Sequence, residues 1–119
     1  KLATPTTNVE RLKKILKTCS GFLYYVAIKG ITGSKSADPK LVKESIKSIK
    51  KNTTIPVAVG FGIKRPIDAA TIAKTGCDGI VVGSALVKII ENSLKNKKSK
   101  HNIALKVGNM VKNIKQKIK

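Results

Sequence analysis

The apolar residues of this 119-residue chain fall into two patterns that alternate along it. Short unbroken runs, Phe22 to Ile28, Ile55 to Val59 and Gly79 to Val82, are rich in β-branched or aromatic residues and bounded by glycine or polar stretches. Such runs predict strands buried on both faces. Between them apolar residues return every three or four positions, as in Val9, Leu12, Ile15 and Leu16, then Leu41, Val42, Ser45, Ile46 and Ile49. That spacing predicts helices, from Asn8 to Lys17 with Thr7 and Glu10 at capping-box separation, and from Pro39 onward with Asp38 as N-cap. A third helix is predicted over Pro66 to Lys74, stopped at Gly76, and a short fourth over Ala85 to Ile90 with Ser84 as its cap. After the polar stretch Asn92 to Lys100, the spacing of Ile103, Val107, Met110, Val111, Ile114 and Ile118 predicts a last amphipathic helix. Leu2-Ala3-Thr4-Pro5 reads as the end of a strand that began before residue 1.

Four strands alternating with helices imply parallel βα units. Such units build either an open doubly wound sheet or half of a closed eight-stranded barrel. An open nucleotide-binding sheet would carry its glycine fingerprint after the first strand, whereas here glycines follow the second, third and fourth. The expectation is therefore α/β, the C-terminal half of a (β/α)8 TIM barrel: four parallel βα units plus a C-terminal helix. Residues 1–119 form part of one domain, with the N-terminal half absent.

Composition changes this picture little. With two Phe, two Tyr and no Trp, the core has to be built from aliphatic residues. The net charge of +19 raises nucleic acid or an anionic membrane as a partner. Yet the basic residues are lysines apart from Arg11 and Arg65, and neither aromatic stacking platforms nor a nucleic-acid motif accompany them. A solvated lysine-rich surface is the simpler reading, with no specific nucleic acid and no membrane as partners. Cys19, Cys77 and the single histidine, His101, lack metal-ligand spacing, so buried free thiols, no metal and no cofactor are expected. No apolar run reaches the length of a membrane span and the first residues lack the plan of a signal peptide, which points to a soluble, cytoplasmic protein.

The candidate chemistry lies in the loops. Gly33, Gly62 and Gly83, each after a strand, together with the Ser84 hydroxyl and the start of the following helix, form a potential cradle of backbone N–H groups. A phosphate oxygen can lie against such groups only where side chains do not intrude.

The chain resembles the tryptophan synthase alpha chain family. The stretches that carry the resemblance are Gly21 to Val26 leading into Gly30-Ile31-Thr32-Gly33, then Val59-Gly60-Phe61-Gly62-Ile63, then Val82-Gly83-Ser84 through Glu91. It runs from Leu2 to about Ile90 and continues more loosely through the last helix. The resemblance implies a lyase of tryptophan biosynthesis that splits indole-3-glycerol phosphate into indole and glyceraldehyde 3-phosphate and passes the indole to a tryptophan synthase beta chain. It implies phosphate contacts at Gly33, Gly62, Gly83 and Ser84, and a substrate pocket walled by Tyr24, Phe61, Thr32 and Leu2. The family's two catalytic carboxylates have no match here, so no catalytic residue is expected in this stretch and the chain alone is expected to be inactive. Glu10, Asp38, Glu44, Asp68, Asp78 and Glu91 read as caps or surface charges. Two alternatives compete: another phosphate-binding TIM-barrel enzyme half, and a basic, non-specific nucleic-acid-binding module.

Overall fold

The computed structural model describes residues 1–27, 38–60 and 62–118. Along the chain run β1 (Leu2–Ala3), α1 (Val9–Lys17), β2 (Leu23–Val26), α2 (Pro39–Lys50), β3 (Val57–Gly60), α3 (Pro66–Ala73), β4 (Gly79–Val81), α4 (Ser84–Lys95) and α5 (Lys100–Ile118). The strands form one sheet in the order β1-β2-β3-β4, every neighbouring pair parallel.

That order decides between the two architectures. A strand, crossover and parallel strand are joined in the right-handed sense, so strands laid down in an unbroken sequence put every crossover helix on the same face. A doubly wound sheet needs a reversal of order to cover its other face, and there is none here. Burial agrees: Leu23, Tyr25, Val57 and Val59 are buried against the helix layer, and their neighbours Tyr24, Val26 and Ala58 on the opposite face are only partly covered. The strands are thus buried on one face, whereas the unbroken apolar runs predict burial on both. Among the described residues nothing covers the apolar side chains of the second face. The radius of gyration, 16.0 Å, exceeds the roughly 13–14 Å of a compact chain of this length. An open slab with a long helix at one end accounts for the excess.

The helices start where their caps dictate. Asn8 accepts a 2.9 Å hydrogen bond from Arg11 N and caps α1, while Thr7 turns back to accept one from Thr4 N at 3.0 Å. The predicted Thr7–Glu10 box therefore does not form, because Asn8 is the better placed acceptor. Asp38 accepts from Lys40 N at 2.9 Å and Pro39 opens α2, as the sequence implies. At α3, Asp68 Oδ2 accepts from Arg65 N at 3.0 Å. The last helix, α5, packs on α3 and α4 with Ile114 buried in the core and Met110 partly so.

Asp78 joins three elements. Its Oδ2 accepts from Val57 N at 2.8 Å, just where β3 begins, and its Oδ1 receives Lys50 Nζ, from the end of α2, at 2.8 Å. Both donors hold its carboxyl below the usual carboxylate range, the Lys50 ammonium most and the Val57 N–H next. Cys19 and Cys77 are free and partly buried. Burial pushes the Cys77 thiol up, which keeps it protonated and unreactive.

Candidate functional site at the strand ends

In a sheet with helices on one face, the loops after the strands gather at the strands' C-terminal ends, and chemistry collects there. Ala27 N donates to Gly60 O at 3.0 Å, tying the end of β2 to the end of β3. Beyond Gly60 the chain turns through Gly62 at φ +72°, in the left-handed region where a side chain is disfavoured, so glycine is required at this position. Beyond β4, Gly83 is the N-cap of α4, and a Cβ built on it would meet nothing within 4 Å. The space beside it is open.

The cap differs from the expectation. Ser84 is the first residue of α4 and no side chain caps the helix, because the N-cap position falls on Gly83, whose carbonyl accepts from Leu86 N at 2.9 Å and Val87 N at 3.2 Å but which has no side chain to offer. The consequence favours binding. The Ser84 hydroxyl is exposed and not spent on capping, and the first N–H groups of α4 keep no intrahelical acceptor. α4 is also longer than predicted, reaching Lys95, so the positive end of its dipole is backed by three turns rather than by a stub.

Tyr24 and Leu2 fall in one row, since Leu2 pairs with Tyr24, and Tyr24 with Ala58. Both lie on the uncovered face. Leu2 is 61% exposed on the edge strand, and the Tyr24 ring leans over Gly60 so closely that a Cβ built there would come within 2.7 Å of Cζ. Of the predicted site, the structure therefore describes Gly62, Gly83, Ser84, Tyr24 and Leu2; Gly33, Thr32 and Phe61 lie outside the described residues.

Next to Ser84 a cleft of about 380 Å³ opens between the β3–α3 connection and α4, lined by Lys64, Ser84, Ala85, Lys88, Ile89, Asn92 and Met110. The sequence reading did not single out Lys64 or Lys88. Lys64 stands two residues past a loop glycine and Lys88 one turn past Ser84, a spacing that was available but lost among many other lysines.

A parallel βα-barrel segment, with glycine turns and a helix start following the C-terminal strand ends, is the class that the fold defines. The chain belongs to the tryptophan synthase alpha chain family, whose family model matches residues 1–119. It is 53% identical over 90 residues to the tryptophan synthase alpha chain of Novosphingobium aromaticivorans, a match covering 76% of this chain and 34% of that protein. The fold matches tryptophan synthase subunit alpha from Legionella pneumophila with a TM-score of 0.78 and 33% identity, over 98% of this chain and 40% of that one. It also matches the alpha subunit in a structure of the tryptophan synthase α2β2 complex from Pyrococcus furiosus, with a TM-score of 0.75 and 34% identity, over 95% of this chain and 43% of that one. The chain thus spans about a third of the length of its curated relative, and about two fifths of the solved TIM-barrel subunits.

Proposed function

We propose that this chain supplies the phosphate-binding part of an enzyme of tryptophan biosynthesis, a cytoplasmic lyase that cleaves indole-3-glycerol phosphate to indole and glyceraldehyde 3-phosphate. The observation that carries this reading is that left-handed Gly62, the open Gly83 and the uncapped start of α4 at Ser84 all follow the C-terminal ends of two neighbouring parallel strands, in a chain that belongs to the tryptophan synthase alpha chain family. The family resemblance adds Gly33, which follows β2 in the sequence, as a further phosphate contact. The N–H groups and the Ser84 hydroxyl hold the phosphate, which is the handle of the substrate rather than its reacting end. Tyr24 and Leu2 wall the space for the indole and glycerol portions, and the family resemblance adds Phe61 and Thr32 to that wall.

The reaction also needs a proton delivered to the indole ring and a base on the glycerol chain, work suited to positioned carboxylates. Of the six acidic side chains, four are engaged by partners and two lie exposed on helices. Asp68 is bound to Arg65, Asp78 to Lys50 and Val57, Glu91 to Lys95, while Asp38 caps α2 and Glu10 and Glu44 lie exposed on helices. The acid and base therefore come from outside residues 1–119, and this stretch alone releases no indole. A beta chain receives the product; the α2β2 assembly of the Pyrococcus furiosus relative supports such a partner.

Titration of glycerol 3-phosphate against the backbone amide resonances tests the cradle. Gly62, Gly83 and Ser84 are expected to shift at sub-saturating ligand, ahead of the lysine-rich helices. Shifts confined to the helix lysines would mean that bulk charge, not the cradle, attracts the anion.

A further inference from the structure

We propose that Lys64 is a positioning residue for the substrate phosphate, with Lys88 assisting from the other wall of the same cleft; this rests on the cradle reading above. The cradle itself carries only partial charges, those of N–H groups, a hydroxyl and a helix end. A phosphate monoester brings close to two negative charges near neutral pH, with a second pKa of about 6. A full cation at the rim is what such a site lacks.

Two cations stand there. Lys64 follows Gly62 by two residues, and together with Ser84 and Lys88 it lines the 380 Å³ cleft. Ser84, a cradle group, lines the cleft directly, and Lys64 follows Gly62 closely along the chain, so an ammonium reaching into this cleft stands beside Ser84. Arg65, the next residue, is already committed: its Nε and Nη2 donate to Asp68 Oδ2 and Oδ1 at 3.2 and 2.8 Å. That pair also occupies the one acid within a helical turn of Lys64. Near Lys88 the corresponding acid, Glu91, is paired to Lys95 at 2.7 Å. Among the described residues neither Lys64 nor Lys88 makes an ion pair.

Both side chains are exposed, so their attraction is screened over roughly 8–10 Å at ordinary ionic strength. This predicts a role in drawing in and orienting the anion, strong at low salt and weak at high salt. Because the phosphate is a non-reacting handle, held equally in the ground and transition states, its loss raises KM and leaves kcat unchanged.

The test uses the intact enzyme. Inorganic phosphate and glycerol 3-phosphate are titrated calorimetrically, at low and high salt, into the wild type, Lys64→Gln, Lys64→Arg, Lys88→Gln, Ser84→Ala and a control, Lys43→Gln, on the exposed side of α2. Lys64→Gln is expected to weaken both anions about fivefold at low salt and less than about twofold at high salt, Lys88→Gln about half as much, and Lys43→Gln not at all. Arginine at position 64 restores affinity, and KM for the phosphorylated substrate rises in Lys64→Gln at constant kcat. Wild-type affinity in Lys64→Gln at low salt, or a fall in kcat at constant KM, overturns the proposal. If Ser84→Ala weakens binding while Lys64→Gln does not, only the role of Lys64 is lost; if the wild type binds neither anion, the cradle reading itself fails.

Discussion

Two single residues bear most on the arrangement at the strand ends. Tyr24 leans over Gly60, which has no Cβ to hold it off, and the ring end fills the space a side chain would take. Gly60→Ala is therefore expected to push the partly exposed phenol aside and destabilise the protein by about 1 kcal/mol, the low end of the cost of overpacking. Tyr24→Ala in the same background removes the clash and should recover part of that loss, so a double-mutant cycle by urea denaturation yields a coupling energy. Additive losses would show that the two side chains do not compete. Asp78 acts at the opposite end of the sheet. Asp78→Ala leaves the Val57 N–H at the start of β3 without its partner and is expected to cost about 1–3 kcal/mol, whereas Asp78→Asn keeps an acceptor and loses only an exposed ion pair, at most about 1 kcal/mol. Since the folded carboxyl lies below its ordinary value, its contribution is complete above the ordinary carboxylate range and is lost as pH falls through the depressed value. Denaturation followed against pH should show a shallower acid limb in Asp78→Ala than in the wild type.

At the scale of elements, what was legible in the sequence was whatever rests on local pattern. Each strand and helix is found within a few residues of its expected place, since apolar period and caps such as Asp38-Pro39 act on neighbours. Two things were hidden, for different reasons. The role of Asp78 depends on Val57 and Lys50, twenty or more residues away, and no local spacing records it. The end of α4 was hidden because its stop signal wears an unusual residue. Lys97 N donates to Leu94 O at 2.9 Å and Lys98 N to Ser93 O at 3.0 Å, the bonds of a Schellman turn, with Lys97 at φ +52° where glycine would be usual. The polar stretch from Asn92 therefore continues the helix for one more turn, helped by the Lys95–Glu91 pair. Lys97→Gly relieves the left-handed strain and is expected to raise stability by up to about 1 kcal/mol, read as a higher denaturation midpoint at an unchanged slope. A lower midpoint would mean that the loss of backbone freedom on folding outweighs that strain. In the candidate site, the glycine turns were legible because their need is local; the pairing of Tyr24 with Gly60 was not, because register across the sheet brings it about.

On the scale of the whole molecule, the described residues leave the sheet with two free edges, β1 and β4, and an uncovered face with Leu2 and Val81 exposed. Parallel edges left open invite association, and an apolar face in water adds to it. Residues 1–119 expressed alone are thus expected to be poorly soluble. Co-expression with the first half of a tryptophan synthase alpha chain should restore solubility together with indole release. A soluble, monomeric product without that partner would contradict this account of the open face. The placement of all helices on one side of the sheet has one more consequence. The described strands contain no charged residue, whereas the helix layer carries most of the lysines behind a net charge of +19. That layer covers the face of the sheet opposite Tyr24 and Leu2, so exchanges among its exposed lysines are expected to alter colloidal behaviour more than the strand ends.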